Sequence, residues 1–295
     1  MQKNRPFANK NSALRHRTVD ALEHLPFHRV MIVAASESQT MGIFNLFKND
    51  QLSEKKIAKI GKLITNPFAQ PDVRMTEMHR LVRDGTDGSY RALLKRLSIN
   101  SNGHIADEDE KKWLEDMLVD LGDEILGPLE DYINQEKQLT YALRAYRRIR
   151  GDEHALTFFL KVLHRYGPLN YRAVEAKLQL VNQLLTESDL EKNLAELTPF
   201  LLDHSDDIRW LIMDAIEKIA GQTPKCENLY GQAIPHLIEI ICDESAGPRI
   251  QKRAAQIIAE FEWAITEPHE DLSSIVAEQY FIDKKKFLRK RARPQ

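Results

Sequence analysis

Asp206-Asp207-Ile208-Arg209-Trp210-Leu211-Ile212-Met213-Asp214-Ala215-Ile216-Glu217-Lys218-Ile219-Ala220-Gly221 is the stretch that decides the fold. Its apolar residues Ile208, Leu211, Ile212, Ala215, Ile216 and Ile219 follow the spacing of one helical face. Asp206 or Asp207 suits the helix start and Gly221 suits its end. Forty-two residues on, Ile250, Ala254, Ile257, Ile258 and Phe261 repeat the ladder. A one-sided helix recurring at a fixed period predicts a solenoid, in which each unit buries its face only against its neighbours. Leu211, placed on that face, is expected to be core.

The same reading extends outward in both directions. Breakers divide the sequence into helix pairs at roughly 34- to 42-residue spacing, at Asp72–Arg83 with Ser89–Leu97, Asp107–Leu121 with Asp123–Gln135, and Gln138–Ile149 with Asp152–Tyr166. Tyr171–Leu185 follows, with Val174, Leu178, Val181 and Leu185 as its apolar face, and pairs with Asp189–Leu202. The opening stretch pairs with Leu229–Cys242, and a sixth unit starts at Pro248, with proline in a first turn. The expectation is an all-α chain forming an α-α superhelix of about six helix pairs. Residues 1–40 read as a disordered extension ahead of a natural start at Met41. Residues 41–70 read as a capping segment with one basic helix, 71–281 as the array, and 282–295 as a basic tail that follows a helix from Asp271.

The net charge of −2 conceals segregation: residues 101–136 carry −10, 137–177 carry +6, 178–281 carry −12 and 282–295 carry +6. Alternating signed blocks steer complementary partners or pair with one another. Cys226 and Cys242 form no Cys-x-x-Cys motif, which fits a reducing cytoplasm. No apolar run reaches bilayer-spanning length.

Asp206-Asp207-Ile208-Arg209 followed by Ala215-Ile216 resembles the first helix of a HEAT repeat (the HEAT/armadillo type), with its acidic turn, Val/Ile-Arg step and small and large apolar residues. Pro71-Asp72-Val73-Arg74 matches that turn and step, and Gly247-Pro248-Arg249-Ile250 matches loosely, with Gln251 in the Arg position. Met41 to Ile133 also resembles a set of uncharacterised bacterial HEAT-repeat proteins, through its Met41-Gly42 opening, Gly85-Thr86 turn and Leu93-Leu94-Lys95-Arg96 stretch. The resemblance implies an α-α superhelix that binds proteins and supplies no functional residues to transfer.

Chemistry-bearing motifs are missing from the sequence. There is no His-Glu-x-x-His, Gly-x-Ser-x-Gly, phosphate loop or dinucleotide fingerprint, and nothing calls for a cofactor or metal. Asp107-Glu108-Asp109-Glu110 reads as capping of a helix start, and Asp84-Gly85-Thr86-Asp87-Gly88 as a turn. Trp210 and Trp263 read as packing residues. The candidate partner-binding residues are Arg144, Arg147, Arg148, Lys161, His164 and Arg165, with the tail residues Lys284, Lys285, Lys286, Arg289, Lys290 and Arg291. The expected function is a non-enzymatic cytoplasmic scaffold presenting a charged groove on its second helices to an acidic protein partner. Nucleic-acid binding through the central patch and tail is the alternative, and a repeat-scaffold lyase or glycosylase comes third.

Overall fold

The structure, a computed structural model, describes residues 51–186, 190–222, 227–265 and 272–292. The expectations for residues 1–40, for Met41 to Lys48 and for Cys226 lie outside them. The chain divides between Leu52 and Ser53, and every helix and strand among the described residues belongs to the unit that begins at Ser53.

That unit is mostly helical. α1 (Glu54–Ile64) precedes the pair α2 (Pro71–Asp84) and α3 (Asp87–Leu94), the latter prolonged by a 3-10 turn at Lys95–Ser98. Next come α4 (His104–Leu121) with α5 (Leu126–Gln135), then α6 (Thr140–Arg150) with α7 (Asp152–Tyr166). α8 (Val174–Leu185) pairs with α9 (Leu190–Leu197), which a 3-10 turn at Thr198–Leu202 continues. α10 (Asp206–Gln222) with α11 (Glu227–Cys242), α12 (Pro248–Glu260) and the short α13 (Ser274–Ala277) complete the helices. The boundaries obey local chemistry. Thr86 caps α3 by accepting from the Ser89 N–H, and Gly85 ends α2 in the left-handed conformation that glycine tolerates best.

Packing runs along the chain. The first helices form a row in which α2 meets α4, α4 meets α6, α6 meets α8, α8 meets α10 and α10 meets α12, while the second helices lie against them. Polar links report the same period. Hydrogen bonds from Arg91 to Asp131, Tyr141 to Glu108, Arg165 to the Asn134 carbonyl, the Gln179 amide to the Lys137 carbonyl and Arg253 to Glu217 join residues 31 to 42 positions apart. That is one helix pair.

A second regularity occupies the fourth residue of several first helices. Arg74 donates to the Ala69 carbonyl, Lys177 to those of Gly167 and Pro168, Arg209 to that of Asp203 and Gln251 to that of Asp243. Each long side chain reaches back over its own first turn and donates to a carbonyl of the loop before it. Asp107, fourth in α4, does the same with opposite polarity by accepting from the Ser101 N–H.

Four expectations are corrected. In α10, Ile208, Ile212, Ala215, Ile216 and Ile219 are buried but Leu211 is only half-buried, and Met213 is core in its place. In α8 the buried face is Ala176, Lys177, Leu180, Val181 and Leu184, one residue out of register with the face read from apolar spacing. Asp107 stands in the first turn of α4, but it and Glu110 are buried in ion pairs and are not solvated acids of a helix start. The described part of the expected tail belongs to a hairpin, β1 (Tyr280–Ile282) antiparallel to β2 (Leu288–Lys290), and of the helix expected from Asp271, itself outside the described residues, α13 is what the described residues form. The β2 strand packs on α12 and buries Leu288.

The α10 register makes a direct prediction. Ile212→Ala should destabilise the protein by about 2–5 kcal/mol, because it opens a cavity at a fully buried site. Leu211→Ala should cost about 1 kcal/mol or less. Chemical denaturation of both variants checks the order of the two effects.

Candidate functional site

The six central basic residues divide between two helices, α6 and α7. On α6, Arg144 lies 2.7 Å from Glu115 with its guanidinium over the Tyr141 ring, and Arg148 lies 2.7 Å from Asp116. Arg147 donates to the Gln183 carbonyl and faces the Phe159 ring. Arg144 and Arg148 are therefore matched by α4, and Arg147 is held by α8. The acids that Arg144 and Arg148 meet come from the −10 block, so the two blocks pair within the chain here.

On α7 the balance differs. Lys161, His164 and Arg165 share one face at i, i+3 and i+4, and all three are exposed. His164 stands 3.5 Å from Glu196 of α9 and edge-on to Phe200, while Arg165 donates to the Asn134 carbonyl of α5. Among the described residues, neither Lys161 nor Arg165 has a carboxylate partner. These residues lie along the line where α7 is bridged to both flanking second helices.

The hairpin reorganises the C-terminal cations. Arg289 is held by Glu262 and Asp283, and Arg291 donates to the Ala277 and Tyr280 carbonyls. Asp283 accepts from the Lys285 and Phe287 N–H groups, so the lysine run Lys284-Lys285-Lys286 forms the turn. Lys284, Lys285, Lys286 and Lys290 remain exposed.

Between α10, α12 and this hairpin lies a groove of about 690 Å³. Trp210, which the sequence suggested was mere packing, forms part of its wall. The Arg249 guanidinium stacks over the indole at 4.0 Å, and that of Arg253 lies at 5.4 Å. Arg253 is fixed by Asp214 at 2.8 Å and by Glu217, while Arg249, Lys252 and Lys290 have no carboxylate partner among the described residues. The 42-residue ladder could have exposed this groove, because it aligns Arg249 and Lys252 with Asp207 and Trp210 on adjacent first helices.

The densest ionic cluster is buried instead. Glu110 accepts from Arg74 at 2.7 Å and Arg96 at 2.9 Å, and Asp107 accepts from Arg96 at 2.5 Å and sits 2.8 Å from Lys111. Ser101 bridges both arginines and Asp107. Burial alone would raise the Asp107 pKa, but hydrogen bonds from Lys111, Arg96 and Ser101 outweigh it and hold the carboxyl well below the ordinary range. The cluster ties α2, α3 and α4 to the loop between α3 and α4, which is a structural task.

No cluster of metal-ligating side chains occurs among the described residues, and no helix there is long and apolar enough to cross a membrane. Comparison of the chain with protein families, curated proteins and solved structures gives no match.

Proposed function

We propose that this chain is a non-enzymatic interaction scaffold, a HEAT-type solenoid whose second-helix row takes an acidic segment of a protein partner. The observation that supports it is the charge on α7: Lys161 and Arg165 are exposed with no carboxylate partner among the described residues, whereas Arg144 and Arg148 on α6 are neutralised by α4. Packing between helices one and two positions apart is what such a row requires. Cations of this kind set register and association rate more than bulk affinity. The cytoplasmic location expected from cysteine usage belongs to the same proposal.

The test uses the full chain and an Asp/Glu-rich peptide of about twelve residues, titrated at low and physiological salt. The proposal predicts binding that weakens with salt and falls about tenfold in Lys161→Glu/Arg165→Glu, with little change in Arg144→Gln. Preference for duplex DNA over the peptide, lost in the same double variant, would replace the protein partner with nucleic acid.

A further inference from the structure

We infer that the groove between α10, α12 and the hairpin is a binding site for a small phosphorylated ligand of nucleotide size, with Arg249 as its principal anchor. The site lies on first helices, away from the α7 face, and stands independently of the scaffold reading.

The central feature is the pair of arginines beside Trp210. The charge of Arg253 is matched: Asp214 and Glu217 take its two terminal nitrogens. Arg249 is stacked on the same indole at 4.0 Å, and among the described residues no carboxylate meets it. Stacking fixes the plane of a guanidinium but leaves its edge N–H groups free, which is the state in which arginine offers a two-pronged fork to an oxyanion. Lys252 lies one helical turn on, and Lys290 faces them from β2. Three cations without a carboxylate partner among the described residues, around one cavity, match an anion of charge near −2 with several acceptor oxygens better than a single carboxylate. Gln256 and Gln279 add neutral donors and acceptors to the wall, and the volume is in the range of pockets that hold compact organic ligands.

The surroundings decide against a long polyanion. Glu260 lines the groove, Asp214 and Glu217 flank its α10 side, and Glu262 sits against Arg289. A nucleic-acid backbone continuing past the three cations would meet these carboxylates. A ligand that ends within the groove would not. This also explains Arg249 and Lys252 inside the −12 block of the sequence: its acids hold Arg253 and, through Glu262, Arg289, while Arg249, Lys252 and Lys290 line the groove.

The experiment is calorimetric titration of the full-length protein with ATP, pyrophosphate and adenosine, and separately with a single-stranded oligonucleotide and a phosphoserine peptide. ATP and pyrophosphate should bind and adenosine should not. Arg249→Gln should weaken ATP binding by about tenfold or more. Arg249→Lys, which keeps the charge and loses the fork, should recover only part of it. Lys161→Glu should leave ATP binding unchanged, and thermal melts should show each variant folded. Equal binding of adenosine and ATP, binding of the oligonucleotide or peptide alone, no binding of any probe at millimolar concentration, or an unchanged ATP affinity in folded Arg249→Gln would each overturn the assignment.

Discussion

Glu110→Ala is expected to lower the stability of the α2–α4 region by about 3–5 kcal/mol, because it leaves Arg74 and Arg96 charged and buried without their shared acceptor. Arg74 is 1% exposed, Arg96 0% and Glu110 3%. Three cations face two carboxylates in this cluster, so removing one acid doubles the excess positive charge. Glu110→Gln should recover part of the loss by keeping a neutral acceptor. Acid should act on the same cluster through Asp107. Its folded pKa is depressed, so its stabilising contribution is complete above about pH 4 and lost as pH falls further. Asp107→Asn should start from a lower stability and show a shallower acid limb. Urea midpoints of the earliest transition, measured from pH 7 downward, check both.

Asp203→Ala carries the second large effect, again about 3–5 kcal/mol. Lys177 and Asp203 are each 0% exposed, with Nζ 2.5 Å from Oδ2, and the lysine also donates to the Gly167 and Pro168 carbonyls. Without the carboxylate the ammonium keeps only those carbonyls. The double change Lys177→Met/Asp203→Leu should be far milder than Asp203→Ala alone, since a buried pair can be replaced by apolar groups of similar volume at little cost. The residual loss would then report the loop tie to residues 167 and 168. A double variant as unstable as Asp203→Ala would show that the tie, and not the charge, dominates.

These two clusters mark where the sequence could be read and where it could not. Most helix positions follow from apolar ladders and breakers, because a helix that buries one face must repeat its apolar residues at helical spacing. The reading failed where polar residues occupy the buried face. In α4, Asp107, Glu110 and Lys111 fall on the ladder that Leu114 and Leu118 continue, yet an acidic run looks solvated until its arginine partners on α2 and α3 are known. In α8, Lys177 sits at the centre of the buried face, and excluding it shifted the predicted register by one residue. The hairpin was hidden similarly. Tyr280-Phe281-Ile282 and Phe287-Leu288 are strand-forming pieces, but three lysines and an arginine beside them suggested a free tail. The groove was harder still, since Trp210 and Arg249 acquire meaning only when α10 and α12 are side by side.

The central claim is that each helix pair is held by its neighbours and by little else. Amide hydrogen exchange on full-length Glu110→Ala tests it most directly. The account predicts exchange faster by about a hundredfold or more over α2–α4, fading through α6, with α10 and α12 at wild-type rates. Uniform acceleration along the whole helical unit would mean that it opens as one cooperative body, which contradicts the account.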